Sequence, residues 1–232
     1  MQTIQGDGFI VTIIKSSRRK TTALKIRDGE VSIHIPTRLP IKLAREFVVQ
    51  KTLWIQNKLA DQSRKQTQEK QFIEGETFLF LNENMTLRLI QAESSPSIKI
   101  NSQQLEFYGR LNRLSKTAIR AALVRWYKQQ AEDHIAIRTD ILSKKIKIIP
   151  HSITIKTYKA RWGSCNIHGE LQFNWKLMLA PLNIIDYVII HELCHIQHHN
   201  HSAQFWQLVE HHCPTFKASR LWLKNNGYRL EL

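Results

Sequence analysis

The sequence has no long apolar run, few cysteines and few acidic residues. No apolar stretch approaches the roughly 20 residues that a bilayer-spanning helix requires, so we expect no transmembrane segment. Residues 1–14 have too few basic residues before their apolar part to form a signal peptide. The three cysteines, Cys165, Cys194 and Cys213, are odd in number and form no Cys-x-x-Cys pair, which favours a reduced, cytoplasmic protein over a disulfide-bonded one.

The deficit of acidic residues leaves a large positive charge. Lys and Arg number 34 against 19 Asp and Glu, a formal net charge of +15, and such an excess attracts polyanions such as nucleic acid. Two groups of basic residues precede the helix predicted after Pro181, and we predict that they contact DNA or RNA: Lys144, Lys145 and Lys147, and Lys156, Lys159 and Arg161. The alternative is that these charges are scattered over a merely soluble surface.

The pattern of apolar residues predicts a mixed α+β fold. Alternating β-branched and aromatic residues predict strands within residues 9–35, 72–108, 146–158 and 170–175. Apolar stripes at helical spacing predict helices over 40–64 and 113–143, after Pro181, after Ser202, and over 215–226. We expect a β-rich region with one helix over residues 1–110, a second domain over 111–232, and no internal repeat.

The most informative stretch of the chain is His191-Glu192-Leu193-Cys194-His195. Residues four apart lie on one face of an α-helix, about one turn or roughly 5.4 Å apart, so both imidazoles can point at one metal ion. Glu192 lies beside the first imidazole, where it can act as a general base on a zinc-bound water. A buried helix that carries two solvated histidines is the alternative, although unpaired polar groups are costly in a core.

A catalytic zinc ion needs a third protein ligand. We favour His201, six residues after His195, because Asn200 tolerates the left-handed conformation that would turn the chain beyond the helix. The alternatives are His198, His199 and Glu210. Asp186 and Glu210 are also candidates for carboxylates that accept hydrogen bonds from the ligand imidazoles.

Substrate contacts are predicted just ahead of this helix. Residues 170–175 alternate like a strand, and in zinc peptidases a strand edge holds an extended substrate by main-chain hydrogen bonds. We assign substrate binding to four residues of this region: Trp162, Gly163, Ser164 and Asn174. The group that stabilises the oxyanion is left open among Tyr158, Tyr187 and the neighbourhood of Trp162.

The chain resembles the YgjP-like metallopeptidase family. The resemblance rests on Arg161 to Cys165, Leu171 to Trp175, Leu179 to Pro181, Asp186 to Val188, His191 to His195, Asn200 to Ser202 and Phe205-Trp206, and upstream on Ser17 to Arg19 and Trp54-Ile55. It implies a zincin-type fold, related to the SprT-like proteases that act on DNA-bound proteins. It also implies His191, His195 and His201 as zinc ligands and Glu192 as the catalytic residue. The chain departs from the metzincin pattern at His198, where that pattern has glycine, so the turn after the helix must be made differently.

These observations predict a zinc metallopeptidase of the HExxH type, with one zinc ion per chain, a peptide or protein substrate, and nucleic acid as a further partner. A metal-dependent nucleotide hydrolase is the first alternative, since a metal-activated water can also attack a phosphoanhydride. It requires basic residues that converge on the metal, and Arg161 is the nearest candidate. A non-catalytic zinc module that binds nucleic acid is the second alternative, and the intact Glu192 argues against it.

Overall fold

The structure is a computed structural model that describes residues 2–27, 29–65, 69–113 and 115–232. Its contacts divide the chain into two units, Met1–Gln68 and Glu69–Leu232. The sequence predicted a division after residue 110 instead. The strands between residues 77 and 109 belong to the second unit because their apolar side chains share one core with the helices that follow them.

Within the described residues, the first unit consists of one four-stranded sheet and two helices. In chain order these are β1 (Thr3–Gln5), β2 (Ile10–Ser16), β3 (Ala23–Arg27), β4 (Glu30–Pro36), α1 (Ile41–Gln50) and α2 (Thr52–Lys65). The sheet order is β1-β2-β4-β3, with β2 and β4 parallel and the other pairs antiparallel. The sequence predicted a single helix over 40–64, but Lys51 adopts φ −102° and ψ 7°, and this ends α1 before α2 begins.

The second unit contains two sheets and four α-helices within the described residues. In chain order these are β5 (Thr77–Phe80), β6 (Glu83–Gln91), β7 (Ser97–Asn101), β8 (Gln104–Gly109), α3 (Lys116–Ile146), β9 (Ser152–Lys156), β10 (Gly163–Cys165), β11 (Glu170–Asn174), α4 (Leu182–Cys194), α5 (Ala203–His212) and α6 (Phe216–Asn226). Short 3-10 helices span Leu111–Arg113, Trp175–Leu179 and Gly227–Arg229. The sheet orders are β5-β6-β8-β7 and β10-β11-β9. The predicted α+β class is therefore confirmed.

The two four-stranded sheets share one topology. In each, the second and fourth strands are parallel, the third strand pairs antiparallel with the fourth, and a helix follows. When the two sheets are aligned by the register of their parallel strands, Val11 is equivalent to Leu87 and Ile33 to Phe107. All four residues are buried. The sequence predicted no repeat because equivalent positions share apolar character and burial but not residue type.

Helix α3 supports the helix that carries the His191–His195 motif. It begins at Ser115, whose hydroxyl accepts a hydrogen bond from the amide of Ala118 at 3.1 Å. Its residue Arg138 donates to both carboxylate oxygens of Asp186 in α4, at 2.9 and 2.5 Å. Helix α4 is apolar on most sides, and its side chains extend the core of the unit. Among the described residues, no helix has both the length and the apolar character needed to cross a membrane.

Candidate active site

Three imidazoles meet at the end of α4. One ring nitrogen from each of His191, His195 and His201 lies within 4.8 Å of the other two. The Nε2 atoms of His191 and His201 are 3.2 Å apart. His191 and His195 reach this point because they are one helical turn apart on α4, whereas His201 reaches it from the segment that follows the helix.

The chain turns back after α4 without the left-handed residue that the sequence predicted. The amide of His198 donates to the carbonyl of Cys194 at 3.0 Å, which closes the last turn. Asn200 does not have a positive φ; its side-chain oxygen accepts from the amide of Ser202 at 3.2 Å instead. The hydroxyl of Ser202 then accepts from the amide of Phe205 at 3.3 Å and caps α5. The side-chain hydrogen bonds of Asn200 and Ser202 thus place His201 between α4 and α5.

The predicted carboxylate partners of the imidazoles pair elsewhere. Asp186 contacts Arg138, and Glu210 contacts Lys217 at 3.1 Å. The Nδ1 of His195 instead donates to the backbone carbonyl of His198 at 3.0 Å. Because that bond holds the proton on Nδ1, it leaves Nε2 of His195 with a free lone pair that could bind a metal ion.

The residues fit a zinc ion. Among the residues that the structure describes, these three imidazoles have no fourth protein ligand beside them, and three histidines with an open position are a donor set typical of catalytic zinc. Burial lowers the pKa of His191 to about 3, and the charges of His195, His201 and Arg220 act in the same direction. Burial also lowers the pKa of His195. These two histidines are therefore neutral near pH 7, which is the form that binds metal. The Nε2 of His191 faces His201 and is the nitrogen available to an ion, whereas its Nδ1 is buried without a hydrogen-bond partner among the described residues.

Glu192 is buried beside the histidines, with only 6% of its surface exposed. Burial raises the pKa of its carboxyl to about 8, and the positive charge of Arg161 opposes that rise. The carboxylate lies against Gly163 in β10. A methyl group at that position would be 2.7 Å from both Cγ and Oε1 of Glu192. Only glycine leaves room for the carboxylate here, and this is a role for Gly163 that sequence reasoning missed.

Two aromatic residues of α5 pack on the imidazoles. Phe205 stacks on His195 with ring centroids 4.3 Å apart, and Trp206 stacks on His201 at 5.4 Å. Sequence reasoning placed both residues on the helix after Ser202 but gave them no role at the site. The available signal was their position directly after the capped turn, which brings the first turn of α5 back onto His195.

Strand β10 lies at the edge of its sheet. The amide of Asn174 in β11 donates to the carbonyl of Trp162 at 2.8 Å. Since hydrogen-bonded pairs alternate along an antiparallel ladder, the backbone groups of Gly163 and Cys165 point away from β11. That side of β10 is an open edge among the described residues, and it runs past Glu192.

The other residues assigned to substrate binding lie in different surroundings. Asn174 is 2% exposed, and its side chain donates to the carbonyls of Tyr158 and Arg161, both at 3.1 Å. It therefore holds the 158–161 loop and is not open to a substrate. Ser164 lies on the opposite face of the strand from Gly163, with its hydroxyl 3.5 Å from that of Tyr158. Trp162 packs on Gly227, where an added methyl group would be 3.0 Å from the indole.

The six basic residues predicted to contact nucleic acid lie at the end of α3, at the end of β9 and in the loop before β10. Lys144, Lys145 and Lys147 are exposed at the end of α3, and Lys144 pairs with Asp140 at 2.8 Å. Lys156 ends β9. Lys159 and Arg161 line a cavity of about 280 Å³ next to the start of β10. Of the six, Arg161 is the one whose charge acts on Glu192.

Comparison with known proteins gives a family model that matches most of the chain. The model of a family described as "YgjP-like, metallopeptidase domain" matches residues 20–226. Among solved structures, the crystal structure of the metallopeptidase zymogen of Pyrococcus abyssi abylysin is 17% identical and covers 39% of this chain and 93% of that chain, with a TM-score of 0.33. That likeness is too slight to carry an argument. No curated protein matches the chain.

Proposed function

The chain belongs to the YgjP-like metallopeptidase family, and on that premise we propose that it is a zinc-dependent peptidase of the HExxH type with a zincin-type catalytic domain. His191, His195 and His201 hold the metal, and Glu192 is the general base. The observation that carries this proposal is the meeting of three ring nitrogens within 4.8 Å beside a buried carboxylate that is not one of them. Three protein ligands with an open fourth position are typical of catalytic zinc, whereas structural zinc sites are closed by four.

The residues of this chain then divide the work of hydrolysis. When bound, zinc supplies a Lewis acid that polarises the scissile carbonyl, lowers the pKa of water and favours the charged form of Glu192. The carboxylate of Glu192 takes a proton from the attacking water and passes it to the leaving amine. Burial strengthens the hold of the carboxyl on that proton between the two steps, and Arg161 favours its release. Phe205 and Trp206 fix the orientation of the imidazoles of His195 and His201 by stacking on them.

The substrate is an extended peptide that adds to the edge of β10. The outward-facing backbone groups of Gly163 and Cys165 provide donors and acceptors for such a strand. The carbonyl of the substrate would then lie next to the Glu192 carboxylate, which contacts Gly163. Trp162 and Ser164 take part by fixing this strand, and Asn174 takes part by holding the preceding loop.

A nucleotide hydrolase is the second candidate, since the charge of Arg161 acts on Glu192 and the positive charge of the chain attracts phosphates. A non-catalytic zinc module is disfavoured, because it would need a fourth ligand in place of the open position.

Zinc content and hydrolysis test the proposal together. We expect about one zinc per wild-type chain, reduced occupancy in His201→Ala, and full occupancy without hydrolysis of a denatured protein in Glu192→Gln. His211→Ala, which changes an exposed histidine of α5, is the matched control and should leave zinc and activity unchanged. Full zinc retention in His201→Ala would exclude the third ligand. Hydrolysis of nucleotides but not of peptides by the zinc-loaded wild type would favour the second candidate.

A further inference from the structure

The charges of two arginines on different elements act on the His191–His195 motif. Arg161 ends the loop that leads into β10, and Arg220 lies in α6. Both are exposed, and within the described ranges neither forms an ion pair with a carboxylate. Sequence reasoning assigned Arg161 to nucleic acid and did not single out Arg220.

Each guanidinium is held by an aromatic ring. The Cζ of Arg161 is 5.3 Å from the centroid of the Tyr158 ring, and the Cζ of Arg220 is 5.1 Å from that of Trp206. Trp206 in turn stacks on His201. A cation–π contact positions the planar guanidinium and leaves its N–H donors, which point outward in the plane, available to a ligand.

Both charges reach the motif on α4. Arg161 lowers the pKa of Glu192 against the larger effect of burial. Arg220 lowers the pKa of His191, after burial and the other two histidines. The positive charges of both arginines therefore favour an anionic group bound beside the His191–His195 motif.

Three carboxylates of neighbouring elements already have basic partners: Asp186 pairs with Arg138 at 2.5 Å, Glu210 with Lys217 at 3.1 Å, and Glu231 with Lys176 at 2.5 Å. Unlike the basic residues of these three pairs, Arg161 and Arg220 have no carboxylate partner among the described residues, so both are available to a ligand from outside the chain.

We propose that Arg161 and Arg220 bind carboxylates of the substrate, so that this peptidase prefers acidic segments. The inference rests on the proposed function and names its substrate class. A guanidinium matches a carboxylate with two parallel hydrogen bonds. Phosphate sites gather several donors on one group, whereas here each guanidinium lies on its own ring, which suits separate carboxylates on one peptide.

Peptide binding tests this without hydrolysis. The full-length, zinc-loaded Glu192→Gln chain is titrated with a short fluorescein-labelled peptide of alternating Glu and Ala, and with its Gln-for-Glu counterpart, by fluorescence anisotropy. We expect the acidic peptide to bind more tightly and its affinity to fall about tenfold on adding Arg161→Gln or Arg220→Gln, as for the loss of a charged hydrogen bond. The affinity of the Gln peptide should not change. Lys99→Gln is the control, because Lys99 is also held by a cation–π contact, at 5.2 Å over Tyr108 in the β5–β8 sheet.

Three results would overturn the inference. The first is equal affinity for the two peptides, and the second is an equal loss of acidic-peptide binding in Lys99→Gln. The third is tighter binding of ATP than of the acidic peptide, with both arginines required, which would make phosphate the ligand. Failure of the proposed function is read separately, as failure of the zinc-loaded chain that keeps Glu192 to hydrolyse a denatured protein.

Discussion

Adding one methyl group at position 163 is the sharpest test of how Glu192 is placed. In Gly163→Ala the new carbon would lie 2.7 Å from Cγ and Oε1 of Glu192, about 0.7 Å inside an ordinary contact of roughly 3.4 Å. Glu192 is only 6% exposed and has little free space to enter. Its carboxylate must therefore move by about that distance, away from the open edge of β10.

The expected loss follows from this displacement. A misplacement on the order of 1 Å costs up to about 100-fold in rate, so we expect kcat to fall about 10- to 100-fold in Gly163→Ala. Overpacking should also lower the free energy of unfolding by about 1–3 kcal/mol. Steady-state hydrolysis of a denatured protein, zinc analysis and chemical denaturation measure the three quantities. Zinc content should not change, because the nearest neighbours of the added methyl group are atoms of Glu192, which is not one of the three proposed ligands.

Gly169→Ala is the control that separates a loss of stability from a displacement of the Glu192 carboxylate. Gly169 lies in the β10–β11 turn with φ +72°, and an added methyl group would have its nearest neighbour at 3.8 Å. This variant should lose about 1 kcal/mol of stability to backbone strain and keep its kcat. A role for Gly163 in placing Glu192 is excluded if Gly163→Ala keeps the wild-type kcat, or if kcat falls by the same factor in Gly169→Ala.

Three other experiments test the surroundings of the site. Asp186→Asn removes the charge that Arg138 contacts, and chemical denaturation should show a loss of about 1–2 kcal/mol; no loss would mean that apolar packing alone joins α3 to α4. In metal-free protein, burial raises the pKa of Glu192 from 4.5 to about 8. The folded state then holds this proton more tightly than the unfolded state. The stability that this protonation contributes is therefore fully present below about pH 4.5 and is lost as pH rises through about 8. The glutamine of metal-free Glu192→Gln cannot titrate. Thermal unfolding should therefore show that the free energy of unfolding of this variant rises relative to that of the wild type, by up to about 4 kcal/mol between about pH 4.5 and pH 8. Parallel pH profiles of the two proteins would contradict the raised pKa of Glu192. DNA, duplex or single-stranded, should bind the chain with an affinity that falls steeply between low and physiological salt. Absence of binding at low salt would refute this prediction, and substitution by Glu of the three lysines that end α3 would locate the contact: Lys144, Lys145 and Lys147.

Much of the fold was predictable because its elements follow local patterns. The apolar run before His191 predicts a buried helix, and α4 is one. The α+β class and the YgjP-like family are likewise confirmed. The break at Lys51 and the boundary between the units were not predictable, since both depend on which distant apolar residues share a core. The repeated sheet topology was hidden for a related reason, because a topology conserves hydrogen-bond partners and not residue types.

The site was predictable where helical spacing decides it and less so elsewhere. Spacing alone brings His191 and His195 together, whereas His201 depends on the side chains of Asn200 and Ser202 in the connecting turn. The proximity of Gly163 to Glu192 joins two elements that are far apart in sequence, and no local pattern encodes it. Asn174 was predicted to bind substrate because it lies in the predicted strand before the metal helix. Its side-chain amide instead points inward and donates hydrogen bonds to two backbone carbonyls.

The open edge of β10 bears on which proteins this chain can cut. A segment can add to that edge only when it is extended and its own backbone groups are unpaired. In a folded protein such a segment appears only through local opening, whose free energy ranges from about zero at frayed termini to the full stability of the fold. Main-chain bonds are alike for nearly every residue, so the rate of cleavage would follow how often a protein exposes a strand, and side-chain preference would only choose among exposed segments. Such a peptidase would respond to the folding state of its targets.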